Sequence, residues 1–159
     1  PALTFVASSN AVLHAGAEVR FADILSVNEL NISPEKILAQ ITPNSKAILV
    51  VHYGGYSCRM AEIQAIADEH NLAIIEDAAH APGARLDGKM LGTWGDIGCF
   101  SFFSNKNLAV GEGGMVVTNN SELYLKAWEY KDHGKNFHLL EQKQLQPHLS
   151  GSQRQWLQG

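Results

Sequence analysis

The sequence predicts an α/β fold with three layers, in which helices cover both faces of a mostly parallel sheet. Short apolar runs alternate with amphipathic stretches along the chain, which is the pattern of βαβ units. The run Lys46–His52 is almost continuously apolar, as is typical of a strand buried on both faces. A length of 159 residues is enough for one domain with its own core. We therefore expect one sheet of six or seven strands.

The individual elements follow from apolar periodicity and from the residues that begin and end helices. Ser33-Pro34-Glu35 is the clearest helix start, since it combines a capping residue, a proline at the first position and an acid in the first turn. Ser8 or Ser9 is expected to cap the first helix. The predicted helices are Asn10–Ala15, Pro34 to about Gln40, Met60 to His70-Asn71, and Leu123–Tyr130. The predicted strands are Leu3–Ala7, Glu18–Phe21, Lys46–His52, Leu72–Ile75, Phe100–Phe103 and Met115–Thr118.

The composition excludes several functional classes. Apolar residues make up 45% of the chain and charged residues 18%, which are values of a globular protein and not of a disordered one. The net charge of −4 and the absence of a basic block argue against a nucleic-acid or membrane-surface partner. No apolar run approaches the roughly 18–20 residues of a membrane span, and the first residues lack the basic region of a signal peptide. We expect a cytoplasmic protein in which Cys58 and Cys99 are free thiols, with no metal site.

The character of the sequence changes after Gly134. The remaining stretch is rich in glutamine and has only scattered apolar residues. We expect residues 1–134 to form the folded core and residues 135–159 to be a weakly structured or helical tail.

Polar residues that end predicted strands are the candidates for chemistry, because ligands of parallel α/β sheets bind beyond the carboxyl ends of the strands. Three such groups are His52, Glu76-Asp77-Ala78-Ala79-His80 and Ser104-Asn105-Lys106. Each has a plainer interpretation. The acids can cap a helix and the lysine can be a solvated charge. For His52 we expect a structural role and not a catalytic one. Lys106, however, follows the aromatic run FSFF and precedes a glycine-rich loop, surroundings that can make an amine nucleophilic. An acid on a neighbouring strand end is the partner that a pyridinium nitrogen requires.

Residues 72–118 carry the motifs EDAAH, GDIGCFSF and KNL followed by GEGG, in this order and spacing. This combination resembles the DegT/DnrJ/EryC1/StrS family of sugar aminotransferases, which are pyridoxal-phosphate (PLP) enzymes of the aspartate-aminotransferase fold type. The similarity extends upstream through Thr4–Ile24 and covers roughly residues 1–134. It implies that the chain is the core of the family's large domain, without the preceding phosphate-binding segment and the following small domain.

The resemblance implies a role for five residues. Lys106 matches the lysine that forms a Schiff base with PLP, and Asp77 matches the acid that pairs with the pyridine nitrogen. His80 matches the position that contacts the 3-oxygen of the ring. Ser101 matches the serine that binds the phosphate, and Phe5 matches the aromatic residue that stacks on the ring, with a place in the core of a strand as its alternative.

The implied reaction is transfer of an amino group from Glu or Gln to a nucleotide-linked keto sugar. Two alternatives stay open. Dehydratases of the same family lack the Schiff-base lysine, whereas Lys106 is present here. The second alternative is a non-catalytic α/β module that self-associates. We expect a homodimer or a higher assembly whether the chain is an enzyme or such a module. Tyr53, Tyr56, Trp94 and Trp128 are the candidates for the associating surface.

Overall fold

A computed structural model describes residues 1–134, so the expected tail at 135–159 lies outside the described residues. The chain divides into two compact units, Pro1–Asn119 and Asn120–Gly159. The described part of the second unit holds one helix, Ser121–Lys131, where the Leu123–Tyr130 helix was predicted. Its N-cap is Asn120, whose Oδ1 accepts hydrogen bonds from the amides of Glu122 and Leu123. The predicted division at residue 134 stays a prediction.

The first unit contains eight strands, three helices and a short 3₁₀ turn at Tyr53–Gly55. In chain order the elements are α1 (Val6–His14), β1 (Ile24–Ser26), β2 (Glu29–Ile32), α2 (Pro34–Leu38), β3 (Ala47–Val51), α3 (Met60–His70), β4 (Ala73–Asp77), β5 (Arg85–Leu86), β6 (Lys89–Met90), β7 (Ile97–Ser101) and β8 (Gly114–Val117).

The central sheet has the strand order β3-β4-β7-β8. The first three strands are parallel, and β8 runs antiparallel to β7. The other four strands form two separate hairpins, β1-β2 and β5-β6. The α/β class with a mostly parallel sheet is thus confirmed, whereas the expected six or seven strands are wrong for the described residues, where the main sheet has four.

Two predicted strands at the start of the chain are also wrong. Helix α1 begins at Val6, inside the predicted strand Leu3–Ala7, and its N-cap is Phe5 instead of Ser8 or Ser9. An apolar run of five residues cannot be assigned to strand or helix by periodicity alone. Residues Glu18–Phe21 join no sheet: they and β3 line the same cavity of 570 Å³. An extended segment needs a hydrogen-bonded neighbour to become a strand.

The helices with capping signals form as predicted. Ser33 caps α2 and accepts a hydrogen bond from the amide of Lys36. Helix α3 ends at His70, and Asn71 follows in the left-handed conformation with φ 52°. The α3 residues Met60 and Ile63 are fully buried and form the core with Val50 of β3 and Ile74 of β4. This core, together with the β3–β4 pairing, fixes the positions of the carboxyl ends of the two strands relative to each other.

Strand β7 begins three residues earlier than the predicted Phe100–Phe103, and this shift follows from its glycines. A Cβ on Gly98 would overlap the carbonyl oxygen of Gly92, and a Cβ on Gly95 would come within 2.6 Å of Ile74. Only glycine therefore allows the loop before β7 to lie directly against the sheet.

Candidate active site at the carboxyl end of β4

Strand β4 ends in two carboxylates, Glu76 and Asp77, whose side chains point to opposite faces because side chains alternate along a strand. Glu76 is fully buried, whereas Asp77 is half-buried. β4 lies between β3 and β7, with Asp77 in register with Val51 and Cys99. The backbone of this site is therefore fixed on both sides by the sheet.

The Glu76 carboxylate has three donors within the protein. Its Oε2 accepts hydrogen bonds from Nε2 of His52 at 2.8 Å and from the amide of Gly92 at 2.7 Å. Its Oε1 accepts the amide of Gly95 at 2.6 Å. Burial acts to raise the pKa of Glu76, but the hydrogen bonds from His52, Gly95 and Gly92 together hold that pKa below its ordinary value. Glu76 is thus a buried, ionised group that ties the Gly92–Gly95 loop to the sheet.

His52 completes this buried group on the β3 side. Its Nδ1 accepts the amide of Cys58 at 3.2 Å, so in the neutral ring the proton sits on Nε2, where it is donated to Glu76. Burial raises the pKa of the Cys58 thiol to about 12, and that thiol donates to the carbonyl of Val51. The expected structural role of His52 agrees with this position, since its side chain is fully buried.

Asp77 has a different environment on the other face. Its Oδ2 accepts the hydroxyl of Ser8 at 2.7 Å, and its Oδ1 accepts the amide of Ala79 at 3.1 Å. Burial raises the pKa of the neighbouring Cys99 thiol, and the charge of Asp77 adds to that effect. Each oxygen of Asp77 keeps capacity for one more donor, because a carboxylate oxygen accepts about two hydrogen bonds.

A cavity of 250 Å³ is lined by both His80 and Lys106. Ala79 also lines it, so the residue that donates to Asp77 connects that acid to the cavity wall. The complete lining is Gly54, Ala79, His80, Asn105, Lys106 and Asn107. Asp77, Ser101 and Phe5 are not part of this lining.

The turn at Tyr53–Gly55 holds His80 in place. The amide of Gly54 donates to Nδ1 of His80 at 3.3 Å, so the neutral ring carries its proton on Nε2. The Tyr53 ring meets the imidazole edge-on, with centroids 6.0 Å apart. Gly55 has φ 85°, and a Cβ there would come within 2.8 Å of the carbonyl oxygen of His80. His80 is therefore oriented by contacts from a separate loop.

Lys106 lies in a turn after β7, where its amide donates to the carbonyl of Phe103 at 2.9 Å. The aromatic run before Lys106 was the sequence feature that could make its amine nucleophilic. In the structure Lys106 is half-buried and the Phe103 side chain is 41% exposed, so Phe103 does not enclose the lysine. Phe103 lies beyond the end of β7 at Ser101, so the strand does not carry it into the core.

The structure also places Phe5 and Ser101. Phe5 is 73% exposed at the start of α1, which overturns its alternative interpretation as a core residue. Ser101 is the last residue of β7, and its hydroxyl accepts the amide of Phe103 at 3.3 Å. The Ser101 hydroxyl keeps its proton for another acceptor, and neither side chain shares a hydrogen bond with Asp77, His80 or Lys106.

Two residues of the site region escaped the sequence analysis. Ser8 was expected only as a helix cap, yet it bonds Asp77 across 69 positions of sequence. Asn31, which is buried on β2, accepts the amide of Tyr53 and donates to the carbonyls of Tyr56 and Ser57. Nothing in the local pattern of either residue signals these long-range partners.

Two further features of the described residues bear on function. None of the described helices is long and apolar enough to cross a membrane. Within the same residues, His, Cys, Asp and Glu side chains form no cluster of three that could hold a metal ion.

Comparison with known proteins decides the family. The model of the DegT/DnrJ/EryC1/StrS aminotransferase family matches residues 1–154. The chain belongs to this family. The spore coat polysaccharide biosynthesis protein SpsC of Bacillus subtilis is 47% identical over 132 residues, which are 83% of this chain and 34% of that protein. The GDP-perosamine synthase of Escherichia coli O157:H7 is 45% identical over 139 residues, which are 87% of this chain and 38% of the synthase.

Solved structures agree with the family and confirm its fold. An aminotransferase from Psychrobacter cryohalolentis superposes with a TM-score of 0.80 at 46% identity, over 84% of this chain and 34% of the other. The chain thus spans about a third of the length of the relatives it matches. The family's fold accounts for the carboxyl edge at which Asp77 and His80 lie.

Proposed function

We propose that this chain forms the PLP-binding core of a nucleotide-sugar aminotransferase. The observation that carries the proposal is the wall of the 250 Å³ cavity, which His80, Lys106 and Ala79 line together, with the amide of Ala79 bonded to Asp77. His80, Lys106 and Asp77 are three of the five residues that the family resemblance assigns to the cofactor. Their chemistry fits a pyridine ring with an aldehyde: a carboxylate, an imidazole that can donate and a primary amine.

Asp77, His80, Ser101 and Phe5 each have one task in this proposal. When bound, PLP takes up and releases an amino group and withdraws electrons from the carbon that carries it. Asp77 would accept a hydrogen bond from the ring nitrogen, and Nε2 of His80 would donate to the ring oxygen. Ser101 would donate to the phosphate, and the exposed ring of Phe5 would cover one face of the pyridine.

Lys106 would act twice. Its amine would bind the cofactor, and its freed Nζ would then accept the proton that leaves the α-carbon of the amino donor. Half-burial in a turn leaves this side chain room to move between the two positions. The presence of Lys106 favours an aminotransferase over the dehydratase alternative, whose members lack this lysine.

The substrate proposal rests on the relatives. One of them is named GDP-perosamine synthase and another is named for spore coat polysaccharide biosynthesis. We therefore propose a nucleotide-linked keto sugar as the acceptor. Glu or Gln as the amino donor rests on the family resemblance alone. We also propose self-association, since several large apolar side chains are exposed, among them Tyr56 at 79%, Val110 at 67% and Val116 at 55%. A monodisperse monomer in light scattering at micromolar concentration would contradict that part.

The test is covalent trapping of PLP by borohydride, followed by peptide mapping. Wild-type protein should carry the reduced cofactor on Lys106, and Lys106→Arg should carry none, because arginine cannot form the bond. Lys89→Arg is the matched control, since Lys89 is a lysine held over the Trp94 ring at 4.8 Å and away from the cavity. Equal labelling of wild type and Lys106→Arg would refute the proposed site.

A further inference from the structure

Two hydroxyl groups form a chain that ends on Asp77. Oγ1 of Thr4 lies 2.7 Å from Oγ of Ser8, and Oγ of Ser8 lies 2.7 Å from Oδ2 of Asp77. Ser8 is 8% exposed, and it belongs to the first turn of α1. The chain therefore connects the start of a helix to the carboxyl end of a strand in the central sheet.

The direction of these hydrogen bonds follows from the donors available. An ionised carboxylate only accepts, so Ser8 gives its single hydroxyl proton to Asp77. With that proton committed, the 2.7 Å contact needs the Thr4 hydroxyl to donate to Ser8, and the carbonyl of Phe5 at 3.3 Å is the longer alternative acceptor of the same Thr4 proton. Donation of both protons toward Asp77 polarises the Ser8 hydroxyl, since hydrogen bonds in a chain strengthen one another.

The two donors to Asp77 come from different elements. Ser8 contacts Oδ2 from α1, whereas the amide of Ala79 contacts Oδ1 from the segment after β4. Two donors on opposite oxygens fix the rotation of the carboxylate plane, which one donor would leave free. The amide of Ser8 also donates to the carbonyl of Phe5 at 3.1 Å, so the N-cap of α1 is tied to the same turn as the hydroxyl that contacts Asp77.

We propose that Ser8 is a positioning residue of the cofactor site, supported by Thr4. Its hydroxyl holds the Asp77 carboxylate in the orientation that receives the pyridine nitrogen. This inference rests on the proposed function and goes beyond it, because it assigns roles to two residues outside the five family positions. A hydrogen bond that orients a ligand-binding side chain changes ligand affinity without touching the ligand.

The experiment compares Ser8→Ala, Ser8→Thr and Ser9→Ala by titration with PLP. Ser8→Ala should raise the PLP dissociation constant about tenfold, which corresponds to about 1.4 kcal/mol. Ser9→Ala is the control on the same helix turn, since its hydroxyl bonds only the carbonyl of Val6, and it should change the constant less than twofold. Ser8→Thr keeps the hydroxyl and should restore binding, because Ser8 lines the 570 Å³ cavity, which has room for one methyl group.

A double-mutant cycle identifies the partner. Ser8→Ala should lose no further affinity in an Asp77→Asn background, whereas an equal loss in both backgrounds would overturn the role through Asp77. In cofactor-free protein, the urea midpoints of the same four proteins should also be non-additive, and additive midpoints would refute the bond itself.

Borohydride trapping on the same samples separates this inference from the proposed function. Labelling of Lys106 in wild type with equal PLP affinity in Ser8→Ala would overturn the role of Ser8 alone. Absence of labelling in wild type would overturn both. Failure of Ser8→Thr to bind better than Ser8→Ala would show that the hydroxyl is not what matters.

Discussion

The two faces of β4 at Glu76 and Asp77 carry the same functional group in opposite circumstances. Glu76 is fully buried and has three donors, all of them from the protein: His52, Gly92 and Gly95. Asp77 is half-buried and has two donors, with capacity left on both oxygens. Glu76, which we call the closed carboxylate, ties the Gly92–Gly95 loop to the sheet. Asp77, the open carboxylate, is available to a ligand. Neighbouring acids in a motif therefore need not share a function.

The largest expected effect is the loss of stability caused by Gly98→Ala, which would push the Gly92–Gly95 loop away from the sheet on the side of Glu76. The new methyl group would overlap the carbonyl oxygen of Gly92, and neither backbone segment can yield without separating the loop from the sheet. We expect a loss of more than about 4 kcal/mol in the free energy of unfolding. Gly83→Ala is the control, since Gly83 has φ 79° with no atom within 4 Å of a new Cβ. It should cost only the backbone strain of about 1–2 kcal/mol, and urea unfolding of both variants measures the difference.

Glu76→Gln should cost about 1–3 kcal/mol of unfolding free energy, because its amide nitrogen would face one of the three buried donors and leave that donor unsatisfied. Asp77→Asn, one residue away, should cost less than about 1 kcal/mol. Equal losses of unfolding free energy for Glu76→Gln and Asp77→Asn in urea would contradict the view that only Glu76 has a structural role.

The effect of Glu76 should depend on pH. Its pKa is lowered in the folded protein, so its stabilising contribution is fully present above the unfolded pKa of about 4.3 and is lost as pH falls through the lower folded pKa. The difference in unfolding free energy between wild type and Glu76→Gln should therefore be constant near neutral pH and shrink below about pH 4.3. A difference that stays unchanged down to pH 3 would contradict the ionised state of the buried Glu76.

The smallest expected effect is a difference in thiol reactivity between the faces. Cys58 is fully buried with its pKa raised to about 12, so it should resist thiol reagents at pH 8 in the folded protein. Cys99 is half-buried, and it lies in register with Asp77. It should react first, and faster still in Asp77→Asn, because removal of the neighbouring charge lowers the pKa of the Cys99 thiol. Mass mapping of a timed labelling reaction measures both rates. Faster labelling of Cys58 than of Cys99 would contradict the view that the Glu76 side is closed and the Asp77 side accessible.

The sequence predicted best where the determinant is local. Ser33-Pro34-Glu35 and the stop at Asn71 mark real helix ends, and the apolar runs of β3 and β4 form real strands. The strand Glu18–Phe21 failed because a strand depends on a neighbour that periodicity does not reveal. The bond between Ser8 and Asp77 could not be foreseen for the same reason, since its partners are 69 residues apart. The roles of Asp77, His80, Ser101, Phe5 and Lys106 come from the family motifs, and they stay predictions until a ligand is bound.

The most direct measurement is a crystal structure of the protein after PLP binding and borohydride reduction. We predict continuous density from Nζ of Lys106 to the cofactor, with the ring nitrogen within about 3 Å of an Asp77 oxygen. Glu76 should keep its three donors and make no contact with the ligand. A cofactor attached to another lysine, or a ring nitrogen that faces a group other than Asp77, would contradict the assignment of Asp77 as the open, ligand-binding carboxylate.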